Sequence, residues 1–264
     1  MAAKSMDILN EIVEHKRREV AARRERRPLR VLIDEPERRP GRDFEAALRK
    51  PGLSVIAEFK RRSPSKGLLR EGANVRSISA DYAECGASAL SILTDNEFFG
   101  GSEDDLRSAR EVTRLPVLRK DFVIDPYQVH ESASIGADAV LLIVRILTNE
   151  QLRELLEVAR KCSLAALVET HERSEITRAL DCGARIVGVN SRNLDTLEVS
   201  LETALGLKQD IPPECVAVAE SGIHTRGDVE RLAEAGYDAI LVGQALMGAP
   251  DPGRKLAELL GAAS

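Results

Sequence analysis

The sequence predicts an α/β protein, a (β/α)8 barrel with extra helices at its N-terminus. Eight short apolar or β-branched runs, at 54–59, 87–93, 116–120, 137–144, 164–170, 184–190, 215–220 and 238–242, alternate with polar stretches of helical period. Strand and helix in strict alternation imply parallel strands joined by right-handed crossovers. The chain has 264 residues, close to the ~250 of a single such barrel. A short repeat favours closure: Cys85-Gly86-Ala87, Ile135-Gly136-Ala137, Cys182-Gly183-Ala184 and Ala235-Gly236-Tyr237 each end a helix and open an even-numbered strand, their glycines 50, 47 and 53 positions apart. Glycine after the last helical turn tolerates a left-handed cap, and recurrence every two βα units suits a pseudo-repeated barrel. An open doubly wound sheet is the competing arrangement.

Ahead of the alternation, residues 6–27 place Ile8, Leu9, Ile12, Val13 and Val20 near helical spacing. Residues 16–30 hold eight basic side chains against two acidic ones, Glu19 and Glu25. No aromatic residue interleaves with these charges, so the stretch reads as a solvated helix face laid across one barrel end rather than an arm for nucleic acid. Pro28 and the stretch 36–41 punctuate the chain, and 44–49 reads as another short helix. Residues 1–52 are thus expected to form a helical extension packing on a barrel of residues 53–264, one structural domain overall. Between the strands, helices are expected at 75–84, 103–112, 149–161, 172–182 and 226–235.

Composition narrows the function. A net charge of −5 argues against a dedicated nucleic-acid binder. With 43% hydrophobic but only 3% aromatic residues, the core must be Leu, Ile, Val and Ala, which suits a parallel sheet covered by helices. Cys85, Cys162, Cys182 and Cys215 occur singly, without C-x-x-C spacing, and are expected to be reduced and structural, as in a cytoplasmic protein. The first residues lack the apolar segment of a signal peptide, and no apolar run reaches the ~20 residues of a membrane span. No heptad or apolar stripe appears, so a monomer is expected. His15, His130, His171 and His224 are scattered without metal-binding spacing, and neither a metal nor an organic cofactor is expected.

Charges gather where the runs end: Glu58 and Lys60 after the first, Arg119, Lys120 and Asp121 at the third, Glu169 at the fifth, Asn190 and Arg192 at the sixth, Glu220 at the seventh. Strands buried on both faces tolerate such groups only for a reason, and barrel enzymes carry their active sites at the C-terminal rim. A ring of ion pairs that merely fixes register is the bland alternative. Glu220-Ser221-Gly222-Ile223 and Val242-Gly243-Gln244-Ala245 follow the last two strands. Glycine turns there let backbone N–H groups approach a phosphate; ordinary capping is the alternative.

Several of these segments resemble one family. Glu58-Phe59-Lys60-Arg61-Arg62-Ser63-Pro64-Ser65-Lys66-Gly67 is similar to the E-x-K-x-x-S-P-S-x-G signature of indole-3-glycerol-phosphate synthases. Leu93-Thr94-Asp95, Phe98-Phe99-Gly100-Gly101-Ser102, Leu118-Arg119-Lys120-Asp121-Phe122, Leu141-Leu142-Ile143-Val144, Val168-Glu169, Asn190-Ser191-Arg192-Asn193-Leu194, Ala219-Glu220-Ser221-Gly222-Ile223 and Leu241-Val242-Gly243 follow in the family's order, across essentially the whole chain. The resemblance implies a TIM barrel and a substrate, 1-(o-carboxyphenylamino)-1-deoxyribulose 5-phosphate, that closes to indole-3-glycerol phosphate with loss of carbon dioxide and water, late in tryptophan synthesis. By match, Lys120 is the general acid at the ketone or the departing hydroxyl, Glu169 its acid/base partner in dehydration, and Glu58 orients and tunes Lys120. Lys60 bridges the substrate and is a second candidate acid. Ser63, Asn190, Arg192 and Glu220 hold polar groups, with Asn190 counted among the catalytic set. Ser221, Gly222, Gly243 and Gln244 bind phosphate, largely through backbone. Phe122, Leu141, Ile143 and Leu241 pack the aromatic ring, with Phe98 or Phe99 near it; plain barrel core is the other reading of that apolar set.

A lysine holds its proton roughly a thousandfold too tightly for an acid working at neutral pH. Burial and a second cation, Lys60, would loosen it, whereas a touching carboxylate would tighten it; the sequence leaves that balance open. Gln244 departs from the family, which often has a small residue such as serine there. His171, beside Glu169, reads as incidental. The long charged loop 61–71 is expected to move over the substrate. Related barrels such as phosphoribosylanthranilate isomerase and the tryptophan synthase α subunit share the late phosphate turns but lack the early motifs. A Schiff-base aldolase using Lys120 and an inactive sugar-phosphate binder complete the alternatives.

Overall fold

Eight parallel strands close into a ring: β1 (Ser54–Phe59), β2 (Ala89–Leu93), β3 (Val117–Lys120), β4 (Ala139–Ile143), β5 (Ala165–Thr170), β6 (Ile186–Asn190), β7 (Val216–Glu220) and β8 (Ala239–Val242). Each pairs with its sequence neighbour, and β1 also pairs with β8, Ile56 against Leu241. The fold is a TIM barrel, and the open-sheet alternative falls away. The computed structural model describes residues 2–34, 41–64, 66–193 and 198–262, with backbone alone for residues 2–7. Ser65 and Leu194 of the family motifs, and 36–40 of the expected break, lie outside the described residues.

Seven strands begin one or two residues later than the apolar runs. Their first residues are still buried or half-buried, but they serve the turn into the strand: Ala87, Ala137 and Ala184 donate backbone bonds to the preceding helix instead of a neighbouring strand. The repeated glycines do what the pattern implied. Gly86, Gly136, Gly183 and Gly236 all have φ between 86° and 97°, a conformation that costs glycine little.

Helices α1 (Ala2–Arg26), α2 (Leu29–Asp34) and α3 (Phe44–Leu48) precede the barrel; α4 (Val75–Glu84), α5 (Glu103–Val112), α6 (Pro126–Ser134), α7 (Asn149–Lys161), α8 (Arg173–Asp181), α9 (Leu201–Leu207), α10 (Arg226–Glu234), α11 (Gln244–Met247) and α12 (Pro252–Leu260) surround it. The sequence reading did not single out α6 or α9. Asp125 caps α6 and Pro126 opens it, a start signal that also resembles a turn. Helix α9 is seven residues long and contains Gly206, so its periodicity is short and weak.

The period-two pleat sorts side chains between two cores. Ile56, Leu118, Leu141, Leu167, Val218 and Leu241 point inward, and Phe44 and Leu48 of α3 join that inner cluster as a plug. Val55, Ala57, Val117, Val168 and Ala217 point outward against the helices. Inward phase therefore carries Glu58, Lys120, Glu169, Asn190 and Glu220 into the barrel above this apolar layer, because each lies two residues beyond an inward apolar or glycine position.

The same pleat turns Arg119 away from the interior, and Asp121, just past the strand end, pairs with it at the edge of the mouth. Arg119 is fully buried and donates to Thr94, Ser132, Asp121 and Glu131. For these two residues the bland reading holds: they form a buried ionic layer. The basic N-terminal stretch also needs correcting. It is not simply a solvated face, for Lys16 is 1% exposed and lies 2.6–3.0 Å from Glu19, Asp95 and Asp121. Arg23 spans Glu19, Glu103 and Glu131, while Arg17 stays in solvent. Asp95 and Asp121 stand at the C-terminal ends of β2 and β3, so the clasp lays α1 across the mouth of the barrel.

Candidate active site

The mouth opens into a cavity of about 440 Å³. All the side chains singled out above border it: Glu58, Lys60 and Ser63; Lys120 and Phe122; Leu141 and Ile143; Glu169; Asn190 and Arg192; Glu220, Ser221 and Gly222; Leu241, Gly243 and Gln244. Phe99 also lines it, whereas Phe98 stacks edge-on against His15.

At the centre, Lys120 Nζ donates to Glu169 Oε2 at 2.8 Å and to Glu220 Oε2 at 2.9 Å. Asn190 Nδ2 donates to the other oxygen of Glu169 at 3.1 Å. Glu58 lies 2.5 Å from Lys60 and accepts from Ser91 at 3.4 Å. The pairing thus differs from the expected one in two respects. Glu58 grips Lys60 directly and reaches Lys120 only through space, and Glu220 gives one oxygen to Lys120 while its other oxygen, Oε1, has no hydrogen-bond partner. Both differences follow from register: β7 places Glu220 beside Asn190 of β6, and Gly188 leaves the space that the Glu220 carboxylate fills. Gly243 does the same for Glu58; a Cβ there would collide with its carboxylate.

The charge balance left open by the sequence resolves toward the carboxylates. Burial alone would lower the pKa of Lys120, but Glu169, Glu220 and Glu58 outweigh it and push it well above the ordinary lysine range. Burial would raise that of Glu169; Lys120 foremost, with His171 and the Asn190 hydrogen bond, holds it low. Glu220 goes the other way, pushed up to about 7 chiefly by burial, against the pull of Lys120 and with help from the Glu169 charge. One ammonium between two buried carboxylates stabilises one anion fully and leaves the other near its protonation point.

The corner expected to take the phosphate is built from β7, β8 and the turn at the end of each. Ser221 and Gly222 take φ of 68° and 78° in succession, a left-handed bend rare for serine. Gly243 precedes the first turn of α11. Arg192 faces this corner, its guanidinium 3.5 Å from the Gln244 side-chain oxygen. The side chain that departs from the family's small residue thus has a partner of its own.

The loop expected to be mobile carries a small antiparallel pairing, Arg62–Ser63 with Gly67–Leu68. Arg61 clamps Asp105 through two bonds of 2.5 and 2.7 Å, and Arg70 donates to the carbonyls of Ala249 and Pro250. The sequence missed three cavity residues from α1, Ile8, Leu9 and Ile12, together with Lys66, Val199 and His224. The apolar α1 positions were visible as a helix face; nothing in their spacing tells which surface that face covers.

A family model described as indole-3-glycerol phosphate synthase matches residues 9–259. Indole-3-glycerol phosphate synthase of Albidiferax ferrireducens is 50% identical over 262 residues, covering 97% of this chain and 99% of that protein. Its counterpart from Verminephrobacter eiseniae is 49% identical over 96% of this chain and 98% of its own, and that of Koribacter versatilis 43% over the same shares. Among solved structures, 3-hexulose-6-phosphate synthase from Salmonella typhimurium aligns with a TM-score of 0.64 at 14% identity, covering 80% of this chain and all of that one. Thiamine phosphate pyrophosphorylase from Pyrococcus furiosus aligns at 0.61 and 21% identity, covering 80% and 95%. These two likenesses concern the barrel alone.

Proposed function

The chain belongs to the indole-3-glycerol phosphate synthase family, and on that premise we propose how its side chains divide the work of the reaction. The enzyme is a carboxy-lyase of tryptophan biosynthesis. It closes the ring of 1-(o-carboxyphenylamino)-1-deoxyribulose 5-phosphate, releasing carbon dioxide and water. The observation that carries the division of labour is the Lys120 ammonium held between Glu169 and Glu220 inside the cavity.

In the first step a ring carbon of the anthranilate attacks the C2′ ketone, and its oxygen gains negative charge. Lys120 donates to that oxygen. The ammonium need not be acidic at neutral pH, because an alkoxide is far more basic than the resting ketone and draws the proton as charge develops. Lys60, anchored by Glu58, is the second cation for the substrate carboxylate or hydroxyl. Decarboxylation then restores the ring, and a solvent proton, the one that loss of carbon dioxide consumes overall, recharges Lys120 before the next step. In dehydration Glu169 takes the proton from the carbon beside the departing hydroxyl while Lys120 protonates that hydroxyl. Direct contact between Lys120 and Glu169 lets the proton pass back and reset both groups.

Ser221, Gly222, Gly243 and the N–H of Gln244, with Arg192 opposite, are proposed to hold the phosphate. Ser63 takes a polar group under the loop 61–71, and closure of that loop on the substrate belongs to the same proposal. Phe122, Leu141, Ile143 and Leu241 flank the aromatic ring. A Schiff-base mechanism is disfavoured, since it needs a free amine and the surrounding carboxylates hold Lys120 as an ammonium. No helix among the described residues is long and apolar enough to cross a membrane. Free cysteines at Cys85, Cys162, Cys182 and Cys215 support a cytoplasmic setting, and a cavity roofed by the chain's own α1 supports action as a monomer.

Lys120→Met tests the assignment. Product formation, followed by indole fluorescence, is expected to fall by at least about 1000-fold while substrate still binds with similar affinity. Near-full turnover would remove Lys120 from the mechanism.

A further inference from the structure

We propose that His171 is a positioning residue for Glu169, held as one tautomer by Glu175 and sharing the proton that Glu169 takes up during dehydration. It rests on the base role assigned to Glu169 above.

His171 follows β5 directly and is 8% exposed. Its backbone N–H donates to Glu175 Oε2 at 2.7 Å, and its Nδ1 lies 3.1 Å from the same oxygen. The other Glu175 oxygen accepts from Arg145 Nε at 2.8 Å. Glu175 is held below the usual carboxylate range; its burial is outweighed by the His171 hydrogen bond and by Arg145. An ionised carboxylate only accepts, so Nδ1 must carry a hydrogen. In a neutral imidazole that leaves Nε2 as a lone pair.

Nε2 is buried without a hydrogen-bond partner and sits 3.5 Å from Glu169 Oε1. Facing an ionised Glu169, it has nothing to accept. Once Glu169 has taken the proton released at C1′, its Oε1–H has an acceptor 3.5 Å away, and closing that gap makes the bond. The C–H bond at C1′ breaks, its electrons form the new ring double bond, and the proton lies between Oε1 and Nε2. If it crosses, the imidazolium is stabilised by Glu175 at Nδ1 and by Glu169 at Nε2. The proton then returns through Glu169 to the Lys120 amine that had protonated the leaving hydroxyl, and no other reactant is needed. The charged groups around the imidazole are Glu169 on its own strand, Glu175 from α8, Arg145 behind Glu175 and Lys120 beyond Glu169. The sequence marked His171 only as a neighbour of Glu169; pairing through Glu175 four residues on required the start of α8 to fold back over the strand end.

His171→Asn separates anchoring from proton sharing, because its amide N–H can still donate to Glu175 while nothing replaces Nε2. In single-turnover assays, the dehydration rate is expected to fall about 10- to 100-fold with KM within about twofold of wild type. The pH–rate profile between about pH 5.5 and 9 should also shift. A thermal melt superimposed on wild type would confirm the fold. An unchanged rate and profile in the folded variant overturns the inference. Glu169→Gln, measured in parallel, keeps the two questions apart: if it retains turnover, the base assignment itself fails, whereas its inactivity beside a neutral His171→Asn condemns only the role given to the histidine.

Discussion

Glu220 is the side chain whose charge is least comfortable near neutral pH. Its carboxyl is 1% exposed, lies beside the negative Glu169 and shares the one ammonium. Because its folded-state pKa, about 7, lies above the ordinary value of 4.5, the folded protein binds the extra proton. The stability it contributes is present below about pH 4.5 and lost as pH rises through 7. Glu220→Gln, which cannot ionise, is therefore expected to be more stable than wild type at pH 8, by at most about 3 kcal/mol. The gap should close toward pH 5, as urea unfolding at the two pH values will show. Gly188 makes room for that carboxylate. Gly188→Ala should fold but push Glu220 off Lys120, and kcat is expected to drop about 10- to 100-fold, as misplaced active-site groups do. Circular dichroism together with steady-state kinetics checks both halves.

At the scale of elements, α1 is attached by a buried charge. Replacing Lys16 by Met leaves Asp95 without its cation and Asp121 with Arg119 alone, and stability is expected to fall by about 3–5 kcal/mol, read from the midpoint of thermal unfolding. If Lys16 served only as a solvated surface charge, the midpoint would hardly move. Strand positions and most helices were legible in the sequence because apolar runs, caps and glycine stops are local signals. Sidedness was only half legible. Arg119 and Lys120 are consecutive charges, and only the pleat phase, fixed by apolar Leu118 pointing inward, sends Lys120 to the cavity and Arg119 outward. Pairing was not legible at all. Whether Glu58 or Glu220 meets Lys120 depends on inter-strand register, which joins residues about a hundred positions apart. For the same reason a run of basic residues concealed one fully buried lysine.

Across the whole molecule, closure of the ring brings contributions from all eight strands and from α1 to one mouth. A ligand held as proposed, at the turns after β7 and β8 and at the apolar wall of Phe122, Leu141, Ile143 and Leu241, would tie together segments far apart in the chain and bind no unfolded form. Product at about 100 times its Kd is expected to stabilise the fold by about 2.7 kcal/mol, raising the calorimetric Tm by roughly 5–10 °C. An unaltered Tm would mean that the cavity does not take the product. The amino-terminal helix roofs the cavity with Ile8, Leu9 and Ile12 while Lys16 rivets it down. Cargo fused through that end would hang over the doorway, so a reporter or tethered second catalyst belongs on the carboxyl side, where traffic through the entrance stays unhindered.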